Sequence, residues 1–119
     1  MKNISLIFFL AVFIPGNFAI ATENMEIEYL LSYITGSDCI FIRNGSEHKA
    51  KEASEHLSMK YSRVKSRINT AEDFIEKIAS HSSLTKREYK VWCESLQLST
   101  KEWLYKALIS YRASMDRRK

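Results

Sequence analysis

The sequence predicts a small α+β domain: a short antiparallel sheet, one hairpin plus one further strand, packed against about four helices and held by one disulfide. Three observations carry this. Asn44-Gly45 stands between a β-branched, aromatic run and a short polar return; it is a strong hairpin signal, because a type I′ turn needs positive φ at both central residues. Apolar residues recur at helical spacing in four other segments. Two cysteines, Cys39 and Cys93, sit far apart in the 119-residue chain.

The chain opens on Lys2 and an apolar run from Ile4 to Ile14, broken at Pro15-Gly16 and followed by Ala19-Ile20-Ala21. A positive start, a short apolar stretch and small residues at the two positions a signal peptidase reads make residues 1–21 an export signal. The run is too short to span a bilayer comfortably, which takes about 20 residues, and the alternative, an uncleaved anchor reaching Ala21, would have to bury Pro15, Gly16 and Asn17. No cysteine follows it for lipid attachment, and no later segment reads as a membrane span. Residues 22–119 then form a single small domain working outside the cytoplasm.

Ile27, Leu30, Leu31 and Ile34 share one face of a helix over 25–34, with Gly36 as its left-handed cap. Cys39 to Arg43 is the first strand and Ser46-Glu47-His48 its return, which sets Phe41 opposite His48 and Ile42 opposite Glu47. Ala50, Ala53, Leu57, Tyr61 and Val64 form the apolar stripe of a second helix over 49–67. Thr70-Ala71-Glu72-Asp73 resembles a capping box before the short helix of Phe74, Ile75, Ile78 and Ala79. Tyr89 to Cys93 alternates as the third strand. Ser99-Thr100-Lys101-Glu102 is a full capping box, and Trp103, Leu104, Ala107, Leu108 and Tyr111 are the stripe of the last helix. No internal repeat, low-complexity tract or long linker is visible.

An oxidising compartment and an even count favour one Cys39–Cys93 bridge. Its loop of about 55 residues would contribute about 4 kcal/mol by the chain-entropy estimate. Two free thiols or a metal pair are the alternatives, and neither Cys-x-x-Cys nor a nearby histidine supports the latter.

The net charge of +4 is mild. Arg112, Arg117, Arg118 and Lys119 crowd the end of the chain. They suit attraction to an anionic surface, or simply a solvated helix terminus.

Reaction signatures are lacking. Ser83-x-x-Lys86 and Ser62-x-x-Lys65 match a nucleophile–base spacing, but two hits in so short a chain show how little the pattern selects, and its companion motifs are missing. No Gly-x-Ser-x-Gly, His-Glu-x-x-His or phosphate loop is present. His48, Glu52 and His56 sit four apart and share a helix face if the helix begins early enough, with Glu55 adjacent, a donor set that suits Zn²⁺, but the face lies opposite the apolar stripe and no second cluster completes it. Asn44-Gly45-Ser46 also fits a glycosylation acceptor, though the hairpin explains it better.

His56, Lys60 and Arg63 lie along one flank of the second helix. Arg43 at the hairpin tip and Ser80, Ser82 and Ser83 can approach that flank. Together they make a candidate pocket for an anionic or carbohydrate ligand, the cations as charge partners and the hydroxyls orienting it.

Cys39-Ile40-Phe41-Ile42-Arg43-Asn44-Gly45, then Glu52-Ala53, His56-Leu57 and Lys60-Tyr61, carry a family likeness. Thr70 through Ile75, Ser80, Ser82-Ser83 and Tyr89 through Cys93 complete it. As a set they resemble the YfeK-like family of small exported proteins of Gram-negative bacteria, from Ile27 to Arg112. The resemblance implies a periplasmic location. It implies no activity, and no catalytic residue carries over. Thr85-Lys86-Arg87-Glu88 departs from the family pattern, which often has a glycine there.

The sequence therefore points to a periplasmic, non-enzymatic binding or interaction module of the cell envelope. Its partner would be an envelope component or periplasmic protein rather than nucleic acid, with no metal or cofactor. The alternative is a small hydrolase or metal-assisted enzyme using His56 with nearby serines or Glu52.

Overall fold

A computed structural model describes the backbone of residues 15–118 and the side chains of residues 22–118. The apolar run at 4–14 and Lys119 lie outside those residues. Helix α1 spans Pro15–Thr35, longer than the expected 25–34. Pro15 and Gly16, expected as a break, sit in its first turn, where a missing N–H leaves no helical bond unmade. Ile27, Leu30, Leu31 and Ile34 are buried as their spacing predicts. Gly36 is not the left-handed cap; Asp38 takes that conformation instead, at φ 58°. The Ser37 hydroxyl donates to the Ile34 carbonyl at 2.8 Å and satisfies one of the free carbonyls at the helix end.

Strands β1 (Ile40–Arg43) and β2 (Ser46–Lys49) are joined by Asn44 at φ 52° and Gly45 at φ 80°. Both values are those of the expected turn, and the register is the expected one, Phe41 opposite His48 and Ile42 opposite Glu47. Helix α2 (Ala50–Arg63) follows β2 with no loop. It stops at Val64, whose φ of −128° leaves the helical region, and Lys65–Arg67 continue as a tighter 3₁₀ turn. The expected single helix over 49–67 is thus two pieces.

Helix α3 starts at Ala71–Asp73. The Thr70 hydroxyl accepts from the Asp73 amide at 2.9 Å, as the capping box requires. The shorter Asp73 carboxylate, however, accepts from the Asn69 amide at 2.9 Å. Glu23 of α1 accepts from the Ala71 amide at 3.1 Å, covering another free donor of the helix start. The helix widens to a π-type turn over Phe74–Ala79, and Phe74, Ile75, Ile78 and Ala79 all face the core.

Strand β3 is Lys90–Cys93. A fourth strand, β4 (Leu96–Ser99), was not expected; it returns through Glu94 at φ 50° and Ser95 at φ 77°. Helix α4 (Thr100–Asp116) follows at once, and the Ser99 hydroxyl accepts from the Glu102 amide at 3.0 Å. In the loop before β3, Lys86 stands at φ 64°, the left-handed conformation that a glycine adopts freely.

The sheet order is β2-β1-β3-β4, antiparallel throughout. It carries a duplication that the sequence does not show. Each half is a helix, a hairpin and a helix that begins directly after the second strand. One constant offset carries β1, β2 and Ala50 onto β3, β4 and Thr100. The same offset turns the pair Ile40–Trp92 into Ile42–Lys90, so an approximate two-fold axis passes between Phe41 and Val91.

Continuing the β1–β3 register one step each way puts Cys39 beside Cys93 at one end and Arg43 beside Tyr89 at the other. The first pair is the disulfide, with Cα atoms 4.8 Å apart. The second opens the candidate site.

Arg112 is not a solvated terminal cation. Its guanidinium makes two bonds of 2.8 Å to the Glu26 carboxylate and bonds of 2.8 and 3.1 Å to that of Glu72, tying α4 to α1 and α3. Among the described residues no helix is long and apolar enough to cross a membrane.

Candidate functional site

The immediate β2–α2 junction fixes His56 and Lys60, one turn apart, against the start of β3. Three titratable groups meet at Tyr89. Lys60 Nζ donates to its hydroxyl at 3.2 Å and lies 5.0 Å from its ring centre. His56 Nε2 is 3.5 Å from the same oxygen. Lys60 also donates to the carbonyls of Ile78 at 2.9 Å and His81 at 3.2 Å, so all three ammonium protons face neutral oxygens.

The charge left over is positive. Burial first, and then Arg43, Lys60, His48 and Arg63, pull His56 down to about 4. Burial and the cations that converge there keep the imidazole neutral at pH 7. Burial, with Arg43 adding to it, also lowers Lys60. Burial raises Tyr89, and Arg43 opposes it. Among the described residues neither Arg43 nor Arg63 has a carboxylate within ion-pair distance. Beyond Lys60 an open groove continues between α2 and α3, lined by Lys60, Arg63, Arg67, Lys77 and Ser83 over an apolar floor of Val64, Ile68 and Ile78. Asp73 reaches Lys77 at 3.6 Å, which leaves Arg63 and Arg67 uncompensated.

On the other side of Tyr89 is a notch of about 20 Å³ between β1 and α2. Its apolar walls are Phe41, Ala53 and Leu57; Arg43, His48, His56 and Thr100 also line it. Thr100 is 1% exposed, and among the described residues its hydroxyl has no hydrogen-bond partner. His48 Nδ1 is 3.1 Å from Glu52 Oε1, an ion-pair distance without the alignment of a hydrogen bond.

The proposed site residues therefore divide. Arg43, His56, Lys60, Arg63 and Ser83 come together at one end of the sheet. Ser80 and Ser82 turn inward: Ser80 donates to the Ile75 carbonyl, and Ser82 accepts from the amides of Leu84 and Thr85. Both shape the chain rather than face a ligand. His56 is not on a solvent face opposite the stripe, as expected, but half-buried against Tyr89. His48 lies in β2, as the hairpin reading placed it, so the helix does not begin early enough to carry it on one face with Glu52 and His56.

A family model described as a family of unknown function (DUF5329) matches residues 21–112. The chain belongs to that family. One relative, "Uncharacterized protein YfeK" of Salmonella typhimurium, is 42% identical over 70 residues, which is 58% of this chain and 58% of that protein. The match thus covers under two thirds of the relative's length. No solved structure matches. The YfeK-like resemblance is borne out, and the family brings no assigned chemistry with it.

In this family member the described residues place no three of His, Cys, Asp and Glu where they could hold a metal ion together. Nor is a serine hydroxyl bonded to His56. Ser62 donates to the Met59 carbonyl at 2.9 Å, and Ser83 is exposed on a turn. Tyr89, Thr100, Arg67 and Lys77 complete the site, and sequence reasoning missed them. Arg67 continues the Lys60–Arg63 spacing around the same helical face, the one signal that could have found it. Tyr89 read only as an apolar strand position.

Proposed function

We propose that the protein is an exported, periplasmic binding module that holds an anionic group of an envelope component or partner protein at the face formed by Arg43, Lys60, Arg63 and Arg67. One observation carries the reading. The half-buried Lys60 amine is held by neutral oxygens, with Arg43 and Arg63 beside it and, among the described residues, no carboxylate paired with them. Clustering like charges in a partly desolvated site costs stability, and a bound anion removes that cost. Support for export comes from the 1–21 signal pattern and from the disulfide, which an oxidising compartment maintains. Glu23 and Glu26, just beyond the expected cleavage point, are already bonded into the domain.

The test has two parts. Titration with inorganic phosphate and with acetate, followed by amide chemical shifts, is expected to move Arg43, His56, Lys60 and Arg63. The exposed double variant Arg63→Glu/Arg67→Glu is expected to abolish the effect while leaving the unfolding midpoint near that of wild type. Unaltered shifts in the wild-type protein overturn anion binding. Cell fractionation with intact mass is expected to find a chain starting at Thr22 in the periplasm with its sulfurs joined. A full-length cytoplasmic chain overturns export.

A further inference from the structure

The groove explains a charge, but not the notch beside it. We infer that the ligand is an N-acylated carboxylate with a methyl-sized side chain, its carboxylate on Arg43 and its methyl group in the notch between Phe41, Ala53 and Leu57. This rests on the anion-binding reading and names the ligand class.

Size comes first. About 20 Å³ is one water-sized probe, so the notch takes one small group and rejects an isopropyl or a ring. Its chemistry comes next. Phe41, Ala53 and Leu57 are each under a tenth exposed and present carbon, which gives a water little to bond and a methyl much to touch. The polar rim comes last. Arg43 lines the notch in the cross-strand row that also holds Tyr89 and Thr100. The Thr100 hydroxyl lies buried beneath this rim with no hydrogen-bond partner among the described residues, so the polar group a ligand meets at the rim is the Arg43 guanidinium. A free amino acid does not fit this scheme. Its ammonium would enter a site where Arg43, Lys60 and Arg63 already depress the protonation of His56. An acyl cap removes that charge, so the carboxylate belongs either to a small N-acyl acid or to the end of a peptide. Both present the same atoms to the notch.

The experiment is a chemical-shift titration of the wild-type protein with acetate, N-acetylglycine, N-acetylalanine and N-acetylphenylalanine. Burying one methyl contributes about 0.8 kcal/mol, so N-acetylalanine is expected to bind about four-fold tighter than N-acetylglycine. N-acetylphenylalanine is expected to bind more weakly than either. N-acetyl-Ala-Ala then separates the sources: tighter binding than N-acetylalanine indicates a peptide end, equal binding a small acid, and both support the inference. Equal affinity for the glycine, alanine and phenylalanine derivatives overturns the notch assignment and leaves anion binding standing. Failure of every probe, acetate and phosphate included, overturns both. In Ala53→Val, which fills the notch, the alanine preference is expected to vanish while N-acetylglycine still binds. A preference that survives in that variant counts against the inference.

Discussion

The two hairpins use the same turn with different residues, which makes a matched test of backbone strain. Gly45 at φ 80° holds the first; Ser95 at φ 77° holds the second. A residue with a Cβ costs about 1–2 kcal/mol in that region. Ser95→Gly removes the cost, but returns about 0.4–1 kcal/mol of it through the freer unfolded chain. Ser95 is exposed and its hydroxyl anchors nothing among the described residues, so the net is a stabilisation of about 0.5–1 kcal/mol, roughly 3–6 °C in Tm for a domain of this size. Gly45→Ser is the mirror case. A Cβ there would meet Arg87 Nη2 at 3.7 Å, an ordinary contact, so its destabilisation of about 0.5–1 kcal/mol is conformational. Urea unfolding followed by far-UV circular dichroism measures both, with m unchanged. If Ser95→Gly lowers the midpoint, or if Gly45→Ser leaves it in place, the strain argument is wrong.

Three further outcomes are expected. Arg112→Met strands the Glu26 carboxylate, 8% exposed, and is expected to cost about 2 kcal/mol in urea unfolding, below the fully buried range because the guanidinium is itself 40% exposed. The same bonds hold Glu72 below its usual 4.5, so that part of the stability is present above this value and lost as pH falls below it, in wild type but not in Arg112→Met. The ring of His56 is expected to titrate near 4 by NMR; because the folded value lies below the ordinary 6.5, stability falls as pH drops from 6.5 towards 4, and Arg43→Ala is expected to move the ring upward. Cys39→Ser/Cys93→Ser is expected to lose about 4 kcal/mol in the same unfolding assay, and a loss under 1 kcal/mol would show that the closed loop restrains the unfolded chain little.

Much of the fold is written in local signals. Asn44-Gly45 specifies the first hairpin and its register, Thr70 and Ser99 mark the helix starts, and apolar spacing finds the buried faces of all four helices. The second hairpin escaped because Glu94-Ser95 is a poor sequence for the turn it makes; tertiary pairing with β1 overrides the local preference. Gly36 misled in the opposite sense, since the left-handed residue fell two positions later. In the site, helical spacing brought His56, Lys60 and Arg63 together correctly. It could not foresee that Ser80 and Ser82 would be consumed by nearby backbone, because those partners come from the π-type turn and the loop after it. Arg112 read as one of a run of cations because its partners Glu26 and Glu72 are distant in sequence.

The covalent link at Cys39–Cys93 gives the central strand pair a direction of opening. β1 and β3 cannot part at that end, so any separation must unzip from Arg43 and Tyr89 inward. Amides of Ile42 and Lys90 then exchange with solvent ahead of those of Ile40 and Trp92. A guest bridging the two strands at the loose end would slow that exchange by mass action, so occupancy of the site and breathing of the sheet become two readings of the same equilibrium.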